Sequence, residues 1–278
     1  MTDEDEEERR KPRKTMLNQA TMDKLASMKL AVMARVYKKQ LEAPDTRMLT
    51  FEERFGMVVD AEWNHRLDNR IKKSLQKATL RIPTASLADL DYDPLRKLDR
   101  GYVTRLSDCS WIREHRNMII TGLTGTGKTY LSCAFASAAC LESWKVKYVR
   151  VNRLLTDLAI ARGDGSYPKR MNELKKMDLL VLDDFGMNSL DPISGRDLLE
   201  VVEDRAGYRS MIISGQLPVS HWHGLFEDST IADAVLDRLV HNAHRFELMG
   251  PSLRRTMEKD LHPESKTEPS NSDLDNRE

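Results

Sequence analysis

Residues 122–129 read GLTGTGKT and follow the apolar run Met118–Ile120. The eight residues match GxxxxGK[ST], the pattern of a phosphate-binding loop between a strand and a helix. The glycines let the backbone curl so that successive N–H groups point at phosphate oxygens, and the N-terminus of the next helix adds its positive end. We therefore expect the whole stretch to contact a nucleotide: Gly122, Leu123, Thr124, Gly125, Thr126, Gly127, Lys128 and Thr129.

The last two residues of this loop have separate predicted roles. Lys128 brings a positive charge to the β- and γ-phosphates, and the Thr129 hydroxyl is suited to Mg²⁺. A carboxylate from a neighbouring strand is needed to hold the metal, and Asp183 and Asp184 follow the apolar run 179–182. We predict that Asp183 binds Mg²⁺, directly or through water. Asp184 is the candidate that orients or deprotonates the attacking water.

Short apolar runs alternate with helical stretches of 10–20 residues from Asn117 onward. This alternation is typical of βαβ units and predicts a parallel sheet with helices on both faces, hence an α/β fold. The predicted strands contain Met118–Ile120, Val146–Val151, Leu179–Leu182 and Met211–Ile213.

Length and composition narrow the class of protein. The 278 residues suffice for one or two domains, and Lys+Arg and Asp+Glu number 44 each, so net charge neither requires nor excludes a nucleic-acid partner. The three cysteines form no CxxC pair, which argues against a disulfide framework or a zinc site. No apolar run is long enough for a membrane span, and the acidic N-terminus is unlike a secretory or transit peptide. We expect a cytoplasmic protein without a membrane partner.

The chain is predicted to have five parts. Its ends are polar or densely charged and are expected to be disordered. Between them we expect a small all-helical domain, a linker rich in aspartate, and the α/β domain. The boundaries are 1–15 for the charged arm, 16–80 for the helical domain, 81–116 for the linker, 117–260 for the α/β domain and 261–278 for the tail.

Within the helical domain, a helical period begins near Thr21 and continues to Tyr37. A second helix is predicted to begin at Thr50, because Thr50 and Glu53 form a capping box. This helix carries an apolar face that includes Phe55, Val58, Val59, Trp63, Leu67, Ile71 and Leu75.

Two basic groups are candidates for contact with DNA. Arg66, Arg70, Lys73 and Lys77 recur at spacings of 4, 3 and 4 and share one face of the second helix. The second group follows the flexible stretch Gly163-Asp164-Gly165 and consists of Lys169, Arg170, Lys175 and Lys176. Cationic stripes suit the phosphate backbone of DNA and are equally typical of a solvated helix face. Because no aromatic residues are interleaved, sequence-independent contact with duplex DNA is favoured over base stacking.

Two more features near the predicted strands and helices have open interpretations. The fourth strand runs into Ser214-Gly215-Gln216, where a polar side chain is either a contact for the γ-phosphate or water, or simply a polar strand end. Arg238 lies in a predicted helix over 231–241. It is either an arginine finger that acts on the nucleotide of a neighbouring subunit or an ordinary surface arginine.

With these residues, the chain resembles the IstB-type transposition helpers, AAA+ ATPases of bacterial insertion sequences that are related to replicative helicase loaders. The resemblance covers roughly residues 15–257 and also rests on SGQLPVSHWH (214–223) and TIADAVLDRLVHNAHR (230–245). It implies an AAA+ fold, ATP and Mg²⁺ as cofactors, and ATP-dependent self-assembly on duplex DNA that delivers target DNA to a transposase. Such an assembly would associate with the bacterial nucleoid.

The resemblance also implies roles for single residues. Lys128 and Thr129 would bind nucleotide and metal, Asp183 would hold Mg²⁺, and Asp184 would be the base. Gln216 or Ser214 would be sensor 1, Arg238 the finger, and residues 20–80 the part that faces DNA and transposase. One departure is the pair Asp183-Asp184, where most AAA+ proteins carry Asp-Glu; the helicase-loader branch shares it.

Three alternatives stay open at this point. A replicative helicase loader of the same AAA+ branch is one, and an ATP-gated DNA scaffold with negligible hydrolysis is another. The third is a P-loop kinase for a small molecule, which would give no reason for a basic N-terminal helix.

Overall fold

The computed structural model describes residue 16, residues 18–43, residue 46 and residues 48–253. The arm at 1–15 and the tail at 261–278, both expected to be disordered, lie outside the described residues. The chain divides into two compact units, Met1–Lys73 and Ser74–Glu278.

The first unit is helical. Residues 18–27 form a helix, followed by α1 (Ala31–Glu42) and α2 (Phe51–Ala78), whose last residues belong to the second unit. The periodic pattern that begins near Thr21 is broken at Lys29, which has a φ of 61°. The Leu30 N–H donates to the Leu25 carbonyl at 2.8 Å, so the helix ends in a Schellman-type turn.

The start of α2 confirms the predicted capping box. The Glu53 N–H donates to the Thr50 hydroxyl at 3.2 Å, and the Thr50 N–H donates to Glu53 Oε2 at 2.8 Å. Further along, the buried Glu62 carboxylate accepts the N–H groups of Val32 and Met33 at the start of α1, at 3.1 and 3.2 Å. Glu62 therefore fixes α2 against α1.

The apolar face expected for α2 is only partly buried. Val58 is buried, but part of the face is exposed, together with Phe51 at the start of the helix. These residues recur every four positions and form what we call the aromatic stripe: Phe51, Phe55, Val59 and Trp63. Val58 and Glu62 lie one position back from this stripe, so the packed face of the helix is rotated away from it.

The second unit is built on a sheet of five parallel strands in the order β2-β3-β4-β1-β5. This confirms the predicted parallel α/β fold. The strands are β1 (Asn117–Gly122), β2 (Val146–Arg150), β3 (Leu179–Phe185), β4 (Ser210–Gly215) and β5 (Ala243–Leu248).

Helices cover both faces of the sheet. Because neighbouring strand residues point to opposite faces, Met118 and Ile120 pack with Phe135 on one side, and Ile119 packs with Leu198 on the other. The helices are α3 (Arg100–Leu106), α4 (Ser110–Arg113), α5 (Lys128–Leu141), α6 (Val151–Asp164), α7 (Tyr167–Lys175), α8 (Pro192–Glu203) and α9 (Ser229–Val240).

Residues 81–116, which the sequence suggested as a linker, contribute to the core of the second unit. Val103, Leu106, Trp111 and Ile112 are buried in the same cluster as α5 and one face of the sheet. The Trp111 Nε1–H donates to the Leu106 carbonyl at 3.2 Å, so the buried indole is satisfied locally. The aspartates of this segment cap short helices. The high aspartate content suggested a linker, but the apolar residues between the aspartates belong to the core.

The strand order positions the site. β4 lies between β1 and β3, so the carboxyl ends of these three strands meet at one edge of the sheet. Ligands of open parallel sheets bind outside this edge. In the described part of the chain, no helix has the length and apolar character needed to cross a membrane.

Candidate active site

The predicted phosphate-binding loop connects β1 to α5 in the required way. Gly122 has a φ of 148°, and a Cβ there would lie 2.3 Å from the Leu248 carbonyl oxygen of β5. Gly127 has a φ of 95° and directly precedes the first residue of α5. The loop thus needs glycine both for its close approach to β5 and for its turn into the helix. Its N–H groups and the helix N-terminus suit an anion.

Lys128 is the first residue of α5 and reaches back over the loop. Its Nζ donates to the Leu123 carbonyl at 2.8 Å. The ammonium group therefore lies beside the backbone that would cradle phosphates, as the sequence predicts for the lysine of such a loop.

Asp183 is the buried carboxylate of the site, at 1% exposure. It accepts hydrogen bonds from the Thr129 hydroxyl at 3.0 Å, from the Tyr148 hydroxyl at 2.5 Å, and from the Ser214 hydroxyl. Burial, followed by the hydrogen bond to Asp183, raises the pKa of Tyr148 well above its usual range, so this hydroxyl stays a donor. The structure brings Thr129 and Asp183 together, and their oxygen atoms are the hard ligands that Mg²⁺ prefers.

Asp184 is held in an unusual backbone conformation. Its φ is 60°, and the pairing of β3 with β4 shifts register between Leu182 and Phe185. This bulge turns Asp184 out of the regular alternation of the strand. The carboxylate is partly exposed and forms an ion pair with Arg81, whose Nη1 lies 3.4 Å from Asp184 Oδ2.

Arg81 faces more than one group of the site. Burial alone would lower its pKa, but the Tyr148 hydroxyl and the charges of Asp184 and Asp183 outweigh that effect, and the pKa of Arg81 is raised. The guanidinium is therefore a permanent positive charge next to both carboxylates.

The end of β4 separates the roles of Ser214 and Gln216. Ser214 is fully buried and donates to Asp183, whereas Gln216 Oε1 accepts from the Thr124 hydroxyl of the phosphate-binding loop at 2.9 Å. Gln216 is thus the side chain that reaches the loop surface from β4.

Sequence analysis did not identify three residues that the structure places at the site: Arg81, Tyr148 and Arg96. Arg96 is buried and donates to the Thr126 carbonyl at 3.2 Å and to Asp91 Oδ2 at 2.7 Å, which supports the loop from outside. Tyr148 had a signal, since it is the polar-ended aromatic of the strand next to β3. Arg81 and Arg96 lie in the segment first interpreted as a linker, where no motif marks them.

Arg238 lies on α9 and is engaged within the chain. Its Nη2 pairs with Glu203 Oε1 at 2.9 Å, and its Nη1 donates to the Ala234 carbonyl at 2.8 Å. These partners lie outside the phosphate-binding loop. A finger would act on the nucleotide of another subunit, so that role stays a prediction.

In the first unit, Arg66, Arg70 and Lys73 of the first basic group lie around one cleft. Arg66 donates to Glu62 at 2.8 Å and to the Lys29 carbonyl at 3.0 Å, so it also holds the helices together. Around it, a shallow cleft of about 420 Å³ is lined by Lys29, Glu62, His65, Arg66, Asn69, Arg70 and Lys73. Arg70 and Lys73 are exposed along its rim.

In the second unit, residues from the two basic groups meet. Lys77 and Arg170 line one groove of about 670 Å³ together with Lys145 and Lys147, which the sequence did not single out. Its floor is apolar and includes Leu154. Arg170 also pairs with Glu173 at 3.0 Å, while Lys169 is exposed on the same helix, α7.

Proteins of similar sequence identify the family. Residues 23–260 match the family described as IstB-like ATP binding protein. A protein of Sinorhizobium fredii, named as an insertion sequence ATP-binding protein, is 43% identical over 244 residues, which cover 88% of this chain and 99% of the relative. A protein of Pseudomonas fluorescens, named as an ATP-binding protein of the insertion sequence IS1162, is 40% identical over 205 residues, covering 74% and 89%.

Solved structures with low sequence identity share the fold. The crystal structure of DnaI superposes with a TM-score of 0.51 at 20% identity, covering 64% of this chain and 94% of DnaI. AMPPCP-bound DnaA from Aquifex aeolicus gives a TM-score of 0.53 at 18% identity, covering 69% and 58%. The family match spans most of the described residues. The chain therefore belongs to the IstB-like ATP-binding proteins and has an AAA+ fold, with the phosphate-binding loop at the edge of its sheet as the candidate nucleotide site.

Proposed function

We propose that the protein is an ATP-hydrolysing helper of transposition that assembles on duplex DNA and delivers this DNA to a transposase. The observation that carries the proposal is the meeting of Lys128, Thr129, Asp183 and Asp184 at one edge of the sheet. Nucleotide binding alone would use the loop; the second, partly exposed carboxylate is what hydrolysis needs. The names of the relatives support a role in insertion sequences.

Each residue has a defined task in this proposal. The loop and Lys128 bind the phosphates of ATP, and Thr129 and Asp183 would hold Mg²⁺. When bound, Mg²⁺ neutralises charge on the β- and γ-phosphate oxygens. Asp184 orients the attacking water and accepts its proton, since its carboxylate is open to solvent on one side.

Two further roles concern the γ-phosphate. We assign sensor 1 to Gln216, because it contacts Thr124 whereas the Ser214 hydroxyl is used by Asp183. Arg238 is assigned as the finger for a neighbouring subunit. To act there it must exchange its pair with Glu203 for the phosphate, and both side chains are exposed enough to separate.

DNA contact is assigned to the basic residues on two surfaces. Arg66, Arg70 and Lys73 present positive charge on the first unit, and on the second unit Lys77, Lys169 and Arg170 lie in or beside the groove that contains Lys145 and Lys147. Lysine and arginine without stacking aromatics suit backbone contact independent of sequence. The aromatic stripe of α2 is our candidate surface for the transposase, because large exposed apolar groups mark protein interfaces.

A first experiment measures ATP affinity and ATP hydrolysis with and without random-sequence duplex DNA. Lys128→Ala should abolish ATP binding, because no other charge of the loop replaces the ammonium. Asp184→Asn should keep ATP affinity but lower the hydrolysis rate by about 10²-fold or more, the usual contribution of a general base. Wild-type hydrolysis by Asp184→Asn would contradict the assignment of the base.

The proposed DNA surface is tested with a double variant that carries both Arg70→Glu and Lys73→Glu. We expect weaker DNA binding and a shallower dependence of affinity on salt, since fewer counterions are released. Lys72→Glu is the matched control, because Lys72 is exposed on the same helix but points away from Arg70. Equal DNA affinity of the double variant and the wild type would contradict the DNA-binding role and would mean that these basic residues form an ordinary solvated helix face.

One observation favours a second candidate, an ATP-gated DNA scaffold with very slow hydrolysis. Asp184 is occupied by Arg81, which leaves the proposed base engaged. If Asp184→Asn assembles on DNA and supports transposition as well as the wild type does, this scaffold is the better account.

A further inference from the structure

We propose that Arg96 is a positioning residue for nucleotide binding. From behind the phosphate-binding loop, its guanidinium turns the Gly127 N–H toward the phosphates of the nucleotide and adds positive charge at that place. Arg96 acts through the backbone of the loop, and its role rests on the proposed binding of ATP by that loop.

One hydrogen bond holds a peptide group of the loop. Arg96 Nη1 donates to the Thr126 carbonyl at 3.2 Å, in a buried place. In a planar trans peptide, the carbonyl and the N–H of the next residue point in opposite directions. Because the Thr126 carbonyl points at Arg96, the Gly127 N–H points away from Arg96. Among the residues that the structure describes, this N–H meets no hydrogen-bond acceptor, so it is available to an anion.

Glycines on both sides make this peptide group easy to rotate. Gly125 and Gly127 have φ of 87° and 95°, and glycine populates positive and negative φ about equally. Contacts from outside the loop therefore decide which way its peptide groups face. The Gly125 carbonyl accepts the Leu253 N–H at 3.0 Å, and the next carbonyl, that of Thr126, is held by Arg96.

Arg96 is itself held at several points. It is the last residue of a short 3₁₀-helix, Pro94–Arg96. Its carbonyl accepts the Met249 N–H of the segment after β5 at 3.1 Å, and its Nε donates to Asp91 Oδ2 at 2.7 Å. The guanidinium thus has a fixed position from which it holds the loop.

The charge of Arg96 is only partly cancelled at the loop. The Arg96 side chain is 8% exposed, whereas the side chain of its partner Asp91 is 54% exposed. Water and salt therefore screen the carboxylate more than the guanidinium. A Cβ at Gly127 would lie 3.7 Å from Arg96 Nη1, so the positive charge lies directly behind the residue whose N–H would face the phosphates.

The first test measures the affinity for ADP by titration calorimetry without DNA, which keeps hydrolysis and assembly out of the measurement. Arg96→Met should weaken ADP binding about 10- to 100-fold, the usual weight of a hydrogen bond that involves a charged group. Arg96→Lys keeps the charge but lacks the planar fork that reaches both Asp91 and Thr126, so its affinity should lie between those of Arg96→Met and the wild type. If Arg96→Met does not fold, Arg96→Lys carries the test.

The matched control is Arg205→Lys. Arg205 is also a buried arginine that donates to backbone carbonyls, those of Leu174 and Met177 at 2.7 and 3.0 Å. Arg205→Lys should bind ADP like the wild type at a temperature at which thermal unfolding shows every variant to be folded. The comparison separates a loss of affinity from a loss of stability.

A second measurement reads the loop itself by NMR. The Thr-Gly pairs of the sequence all lie at this loop: Thr121-Gly122, Thr124-Gly125 and Thr126-Gly127. Protein with carbon-13 in its threonine carbonyls and nitrogen-15 in its glycines therefore gives one signal for each pair, and Thr126→Ser assigns the signal of Gly127 by removing it.

Arg96→Met should change this signal with and without nucleotide. Without ADP, the carbon signal of the Thr126 carbonyl should move upfield, because the carbonyl loses a hydrogen bond. At saturating ADP, the amide proton of Gly127 should move downfield in the wild type and by less in Arg96→Met. A residue that only stabilises the fold would leave the signals of the folded, saturated protein unchanged.

Several results would overturn the role of Arg96. Wild-type ADP affinity in folded Arg96→Met is one, and a Gly127 signal that matches the wild type at saturating ADP is another. An equal loss of affinity in Arg205→Lys is a third, because affinity would then follow stability alone.

The same measurements keep this role apart from the proposed function. If ADP binds but the protein hydrolyses no ATP or ignores DNA, the proposed function fails, while the ADP measurements still decide the role of Arg96. If the wild type binds no ADP, or ADP moves none of the Thr-Gly signals, the loop is not the nucleotide site and both proposals fail.

Discussion

The carboxylate of Asp183 accepts hydrogen bonds from three hydroxyl groups in a place that water hardly reaches. A buried charge is tolerated only when its hydrogen bonds are made. Two of the donors come from β2 and β4, the strands on either side of β3, so the sheet itself supports the candidate metal ligand.

Tyr148→Phe removes one of the three donors to Asp183. It should lower the free energy of unfolding by about 1–3 kcal/mol, because a buried carboxylate loses a donor that water cannot replace. Chemical denaturation measures the change. Tyr208→Phe is the control, since Tyr208 is 73% exposed and should change stability by less than about 0.5 kcal/mol. Equal stability of the two variants would mean that Tyr148 does not hold Asp183.

The hydrogen bonds of Glu62 predict that the stability of the start of α1 depends on pH. The hydrogen bond from Arg66 lowers the pKa of Glu62, burial opposes this, and the amides of Met33 and Val32 lower it further. Because the folded pKa is depressed, the stabilisation is present above the unfolded pKa and is lost as pH falls through the folded one. Protection of the Val32 and Met33 amides from hydrogen exchange should therefore fall in acid.

The control for this prediction is Glu62→Gln, which cannot titrate. Its amides at 32 and 33 should be less protected at neutral pH and should show no further loss in acid, after correction for intrinsic exchange. Protection in the wild type that is independent of pH would show that Glu62 does not stabilise the start of α1 through its charge.

Single residues were predictable where a motif fixes both type and spacing. Lys128, Thr129, Asp183 and Asp184 were located from the sequence, and the structure places them at one sheet edge. Arg81 and Arg96 could not be identified from the sequence, because an arginine whose partner lies in a distant segment leaves no local pattern. Ser214 and Gln216 could be told apart only once their partners were known.

At the scale of elements, the bulge of β3 and the end of β4 depend on each other. A Cβ at Gly215 would lie 2.6 Å from the Phe185 carbonyl oxygen, so the two strands can approach this closely only with glycine. The bulge that aims Asp184 is thus supported by a residue on the neighbouring strand.

Gly215→Ala should therefore lower the free energy of unfolding by about 1–3 kcal/mol, as overpacking does. Hydrolysis should fall more than ATP affinity, because β3 carries the two carboxylates whereas the phosphate-binding loop is on β1. Gly163→Ala is the control: it lies in α6 with open space around it and should stabilise by about 0.5–1 kcal/mol. Wild-type stability and hydrolysis in Gly215→Ala would contradict the dependence of the bulge on glycine.

β1, β3 and β4 were predictable because they contain buried apolar runs. β2 was predictable from its alternation, in which Val146 and Tyr148 are buried between more exposed neighbours. The start of α2 was predictable because its capping box is a local signal. β5 was missed: it lies at the sheet edge, and only Phe246 and Leu248 are buried among polar neighbours. The break at Lys29 was missed as well, because lysine has no preference for the left-handed conformation it adopts there.

At the scale of the whole molecule, the family match shows an ATP-binding protein, while hydrolysis and assembly on DNA are proposals. Basic residues line a cleft on the first unit and a groove on the second. The Arg238 finger would act only between subunits. The central claim is therefore that ATP and DNA together, and neither alone, drive assembly.

The most direct test is the particle size of the purified protein by light scattering, with ATP or ADP, each with and without random-sequence duplex DNA. The account predicts growth to a large assembly only with ATP and DNA together, and no growth of Lys128→Ala in any mixture. A particle of the same small size in all four mixtures of the wild type would contradict it.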